Sequence, residues 1–124
     1  MFDPSSKLLR TSLLALAVGS LASCTKDEAG RPARLAAMSG SAAKGKVFYE
    51  SSCAVCHHTD GLGDPTPGLD GGATYPSLVQ RVKVLTPEAF MKATLEGVPG
   101  TFMLGYSMMS DQQLADGYAY IKTL

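Results

Sequence analysis

The chain has 124 residues, enough for one domain, with 11 Lys+Arg against 11 Asp+Glu and a formal charge of zero. No basic stretch stands out, which excludes the concentrated positive face that nucleic-acid binding needs, and no nucleophile–base pair, carboxylate dyad or phosphate loop is spelled out. Three Cys, no Trp, 7% aromatic residues, 13 Gly and 7 Pro predict a thin core with much loop and an odd thiol that no disulfide can absorb.

The first segment reads as an address. Lys7 and Arg10 precede an uncharged run over 11–25, apolar from about 13 to 22. That is the charged n-region and short h-region of an export signal, and it is too short to span a bilayer, which takes about 20 apolar residues. Leu21-Ala22-Ser23-Cys24 resembles a bacterial lipobox, in which the chain is cut before the cysteine and the cysteine is acylated. A plain cleaved signal with an incidental cysteine is the other reading. With the lipobox, residues 1–23 are a lipoprotein signal peptide and Cys24 is the lipidation site. Losing Asp3, Lys7 and Arg10 leaves 9 basic and 10 acidic side chains, a net charge of −1. Residues 24–40 have mixed charge, small side chains, one Pro and no aromatic. They read as a lipid-anchored flexible tether, reaching roughly 20–25 Å as a random coil. The domain itself is expected over 41–124.

Cys53-Ala54-Val55-Cys56-His57 is C-x-x-C-H, the attachment pattern of a c-type haem. Two thiols add across the two vinyl groups of the porphyrin, and the histidine reaches the iron as proximal ligand. Covalent attachment lets a small chain keep a large apolar cofactor without a deep pocket. The rivals are weaker. Zinc needs four ligands, and the other candidates are Cys24 and the adjacent His58. A thioredoxin-like C-x-x-C needs a βαβ setting, and no strand-like alternation flanks this motif. A surface disulfide between Cys53 and Cys56 stays formally open. His58 cannot reach the opposite face of the haem and reads as a solvent-facing loop residue.

After His57 the chain is too rich in Gly and Pro to be regular as far as Pro76, a length that wrapping a haem edge would justify. Thr86-Pro87-Glu88 then starts a helix, with Thr as cap and Pro at the first position, and Gly97 ends it near residue 96. Met91 falls inside that helix, where a methionine is ordinarily core. Pro99-Gly100-Thr101 opens a loop holding Met103, Met108 and Met109, each a candidate for the second axial position. Ser110-Asp111-Gln112-Gln113 reads as a capping box, and Leu114, Tyr118 and Ile121 make a helical stripe, so a helix covers about 111–123.

From about Ser41 to Leu124 the chain resembles a class I cytochrome c. Three separated pieces carry the likeness. Gly45-Lys46-Val47-Phe48-Tyr49 resembles the family's first helix, C-x-x-C-H follows, and Pro99-Gly100-Thr101-Phe102-Met103 resembles its P-G-T-x-M ligand loop. The resemblance implies an all-α fold of three to four helices wrapped around one covalent haem c, with the first helix, around 42–52, crossing the last. Gly45 and Tyr49 would meet Tyr118 or Tyr120 at that crossing, and Gly117 stands where the family places a larger residue. His57 and Met103 are implied as iron ligands, with Met108 and Met109 packing. Tyr75-Pro76-Ser77-Leu78 resembles the P-x-L segment, which implies that the Pro76 carbonyl accepts the His57 ring N–H, although Pro65 and Pro67 lie nearer in sequence.

The implied function is one-electron transfer between a redox protein donor and acceptor, without a small-molecule substrate. The protein would be exported and held on a bacterial membrane by Cys24, its domain in the periplasm or on the outer cell face. Two other readings compete: a fixed electron-entry subunit of a membrane-bound dehydrogenase or reductase, and a five-coordinate haem sensor or peroxidase if Met103 does not ligate.

Overall fold

A computed structural model describes residues 28–64 and 74–124. The segment read as an export signal, Cys24, and Pro65 and Pro67 lie outside the described residues. Among the described residues six helices follow one another: α1 (Arg31–Ala37), α2 (Ala42–Ser52), α3 (Ala54–His57), α4 (Leu78–Val84), α5 (Pro87–Glu96) and α6 (Asp111–Ile121). Among the described residues there is no strand, only an isolated antiparallel bridge between Asp64 and Tyr75, and no helix is long and apolar enough to cross a membrane.

The longer helices start where short polar side chains replace missing backbone partners. Ser41 caps α2 by accepting from the Lys44 N–H at 3.4 Å. Thr86 accepts from the Ala89 N–H at 3.2 Å with Pro87 just inside α5, and Gly97, at φ 76°, ends it. Ser110 and Gln113 form a reciprocal capping box at the head of α6.

The main crossing sets α2 on α6, and glycine makes it close. A Cβ on Gly45 would run into the carbonyl of Asp116, backbone against backbone. One on Gly117 would lie 2.7 Å from Phe48 Cδ1, so the absent side chain is replaced by an aromatic ring from across the interface. Tyr49 is fully buried and packs on Tyr120 with ring centroids 5.3 Å apart, while Tyr118 turns instead to Phe90 at 5.1 Å. The Asp116 carboxylate accepts from the Ser41 N–H at 2.7 Å and from Gln112 Nε2 at 2.8 Å. These bonds hold its pKa below the usual carboxylate value. Leu35, Leu78, Phe90, Met91, Leu95, Leu114 and Ile121 complete the core.

The expected flexible tether over 24–40 does not hold for residues 31–37. They form α1, which lies against α5 and α6. Leu35 is fully buried and Arg31 is 6% exposed. Pro32 sits in the first turn, and Arg31 and Leu35, four residues apart, share the one helix face that packs on the rest of the domain. A stretch of small residues and mixed charge therefore carries two anchoring side chains.

Candidate functional site

Cys53 ends α2 and begins α3, a single helical turn whose Cys56 and His57 amides both bond to the Cys53 carbonyl, at 3.2 and 2.9 Å. Positions i, i+3 and i+4 of such a turn share a face. Cys53, Cys56 and His57 accordingly line one cavity of about 540 Å³, a volume usual for small-molecule and cofactor sites. The two thiols are free, not joined in a disulfide. Burial, with Cys56 nearby, pushes the Cys53 thiol up to about 11, so it remains protonated at neutral pH.

The histidine is buried and oriented. His57 Nδ1 lies 2.9 Å from the Pro76 carbonyl oxygen. A carbonyl can only accept, so the proton sits on Nδ1 and the lone pair on Nε2. Desolvation by burial lowers the His57 pKa, against the opposing pull of the Pro76 hydrogen bond, and favours the neutral ring that a metal requires. The far side of α3 is fixed by Tyr49, whose hydroxyl donates to the His58 carbonyl at 2.6 Å. His58 itself is exposed, with φ 58°, and turns the chain away from the cavity.

The loop between α5 and α6 also lines the cavity. The Thr101 hydroxyl donates to the Val98 carbonyl at 2.7 Å and accepts from the Met103 N–H at 3.1 Å, and the Met103 carbonyl accepts from the Val98 N–H at 3.1 Å. This small closed turn puts the half-buried Met103 on the cavity wall, between exposed Phe102 and Leu104. Met108 is 95% exposed and Met109 packs against the core; neither lines the cavity. Met91 does line it from α5 while only 1% exposed.

Three contributors were not foreseen from the residue pattern. Tyr106 lines the cavity, donates to the Ser52 carbonyl at 2.7 Å, and packs edge-on against Phe48, tying the end of α2 to the methionine loop. Arg81, exposed on α4, is the only permanently charged side chain among the described lining residues. Its place, three residues after Leu78 on a helix that follows Pro76, was a usable signal once Pro76 was assigned to the site. Arg31 of α1 lay in the presumed tether and gave none.

A covalent haem fits this arrangement. The cavity wall is largely apolar, and the thiols of Cys53 and Cys56, the neutral imidazole of His57 and the thioether of Met103 all line it. Fold and site thus define an all-α domain built to attach a porphyrin through C-x-x-C-H.

The chain belongs to the cytochrome c family, whose profile, described as "Cytochrome c", matches residues 42–124. It is similar to cytochrome c-555 of Chlorobaculum tepidum, 32% identical over 85 residues, which cover 64% of this chain and 73% of that protein. It is also similar to cytochrome c-555 of Chlorobaculum thiosulfatiphilum, 31% identical over 85 residues, 64% of this chain and 92% of that one. As a cytochrome c it binds one haem c, with its iron, covalently. It transfers electrons between redox protein partners rather than turning over a substrate.

Proposed function

We propose that the iron is held between His57 and Met103, that Cys53 and Cys56 form the thioethers, and that the protein shuttles single electrons while anchored to a membrane by a lipidated Cys24. The observation that carries the ligand assignment is that all four side chains line one cavity, whereas Met108 and Met109 do not. Bound there, the haem supplies one-electron oxidation and reduction at its iron. The chain's part is to hold the imidazole neutral and fixed through Pro76, offer a thioether that favours the ferrous state, and exclude water with Phe90, Leu114 and Ile121. Arg81, the one permanent positive charge among the described lining residues, would be the partner for the haem carboxylates. Exposed Phe102 and Leu104 at the loop tip offer an apolar contact for the weak, brief encounters typical of redox partners.

The ordered helix α1 shortens the anchor. Seven peptide steps from Cys24 to the start of α1 at Arg31 reach at most about 25 Å, so the domain stays near the bilayer. The test has two parts. Spectroelectrochemical titration of the exported protein gives a single one-electron transition, and Cys24→Ser moves the protein from the membrane fraction to the soluble exported fraction. A multi-electron titration, or unchanged membrane association of Cys24→Ser, overturns the corresponding half of the proposal.

A further inference from the structure

Helix α1 lies ahead of the residues that the cytochrome c profile matches, yet its first side chain reaches the segment that follows the Met103 loop. Arg31 Nε donates to Asp111 Oδ1 at 2.8 Å, Nη1 to the Ser107 carbonyl at 2.7 Å and Nη2 to the Met109 carbonyl at 2.7 Å, while Glu28 Oε2 stands 3.5 Å from Nη1. The guanidinium is 6% exposed, so these are desolvated, charge-assisted bonds. Its planar fork reaches three acceptors at once, which a lysine ammonium on a flexible stem does not reproduce.

We propose that Arg31 is a positioning residue for the iron-ligand loop, holding its exit limb against the domain so that Met103 keeps to the cavity wall. The inference rests on the reading of Met103 as ligand. The entry limb leaves α5 at Gly97 and closes on itself through Val98 and Met103. The exit limb is fastened at Tyr106, whose amide donates to the Thr94 carbonyl at 2.9 Å. Beyond Tyr106 come exposed Ser107 and Met108, and the one backbone bond is from the Met109 N–H to the Tyr106 carbonyl at 3.0 Å. Arg31 takes the carbonyls on both sides of Met108 and the first carboxylate of α6. It therefore joins the loop's exit, the head of α6 and an N-terminal helix outside the family-matched region. Displacing this exit limb from the domain requires breaking those bonds.

The experiment uses the haem-loaded full chain. Imidazole binding to the ferric protein requires the methionine to leave, so its association rate reads loop opening, and exchange of the Met109 amide reads the limb directly. Arg31→Gln is expected to raise both by about tenfold or more, and Arg31→Lys to raise them by a smaller factor, given the strength of hydrogen bonds to charged groups. Val82→Ala, which loosens core packing on α4 without lining the cavity, is expected to leave the imidazole rate near that of the parent chain. Arg31→Lys carries the test if Arg31→Gln fails to accumulate. Parent-like imidazole rates and Met109 exchange in the Arg31 variants overturn the proposal, as does an equal rise in Val82→Ala. A parent protein without the far-red methionine–iron band would refute the ligand assignment instead, and Met109 exchange would still report on the latch.

Discussion

Replacing Gly45 with alanine sets a helix-propensity gain against a collision, and the structure says which wins. Alanine is favoured over glycine inside a helix by about 1 kcal/mol. The new methyl group would overlap the Asp116 carbonyl and approach the Gly117 amide at 3.0 Å, both rigid backbone of α6. Neither helix can yield locally, so α2 must back away as a unit. That strains the Ser41–Asp116 bond and loosens the fully buried Tyr49. Overpacking a tight core costs about 1–3 kcal/mol, and backbone against backbone belongs at or above the upper end. The net loss is about 2 kcal/mol, or about 8–16 °C in melting temperature for a domain of this size. Gly117→Ala is the internal control. Its methyl group meets only the half-buried Phe48 ring, at 2.7 Å, and the propensity gain offsets the ring's displacement to within about 1 kcal/mol. Thermal unfolding of the two haem-loaded variants, followed by far-ultraviolet dichroism, makes the comparison. A Gly45→Ala protein that melts with or above the parent would refute the close crossing of α2 and α6.

Other consequences are as direct. Tyr49→Phe removes the hydroxyl that donates to the His58 carbonyl at 2.6 Å, and is expected to cost about 1–2 kcal/mol in guanidinium unfolding while leaving haem attachment intact. Asp116 titrates below its unfolded value of 3.8, so the unfolded chain takes up its proton first on acidification. Its stabilisation is present above about pH 4 and is lost as pH falls through the lower folded value, so Asp116→Asn should show a shallower acid limb in stability against pH. Arg81→Gln removes a positive charge from the cavity wall and so disfavours the reduced state. Its reduction potential should fall by about 20–60 mV, where 59 mV is a tenfold shift in a one-electron equilibrium, and a rise would contradict the placement of Arg81 at the haem.

Much of the site could be read from short-range chemistry. C-x-x-C-H places three groups on one helical turn whatever surrounds it, and the structure has them lining one wall. Capping residues marked α5 and α6 within a residue or two, because Thr86-Pro87 and Ser110–Gln113 act on their own neighbours. The carbonyl of Pro76, 19 residues from His57, was reachable only through likeness to a family, since no local rule pairs them. Gly117 stands where the family places a larger residue, and only the ring of Phe48 across the interface shows it as a close approach. Helix α1 was missed because its reason for folding lies 76 to 80 residues away, at Ser107, Met109 and Asp111. Arg31 has no local partner strong enough to announce it.

The central claim is that Met103 completes the coordination opposite His57. The ferric absorption spectrum of exported Met103→Ala, set beside the parent, tests it most directly. The parent is expected to show the weak far-red methionine–iron band, and Met103→Ala to lack it and to bind carbon monoxide readily once reduced. A band that survives in Met103→Ala would contradict the account and hand the ligand role to another methionine, with Met91 the first to examine, since it too lines the cavity.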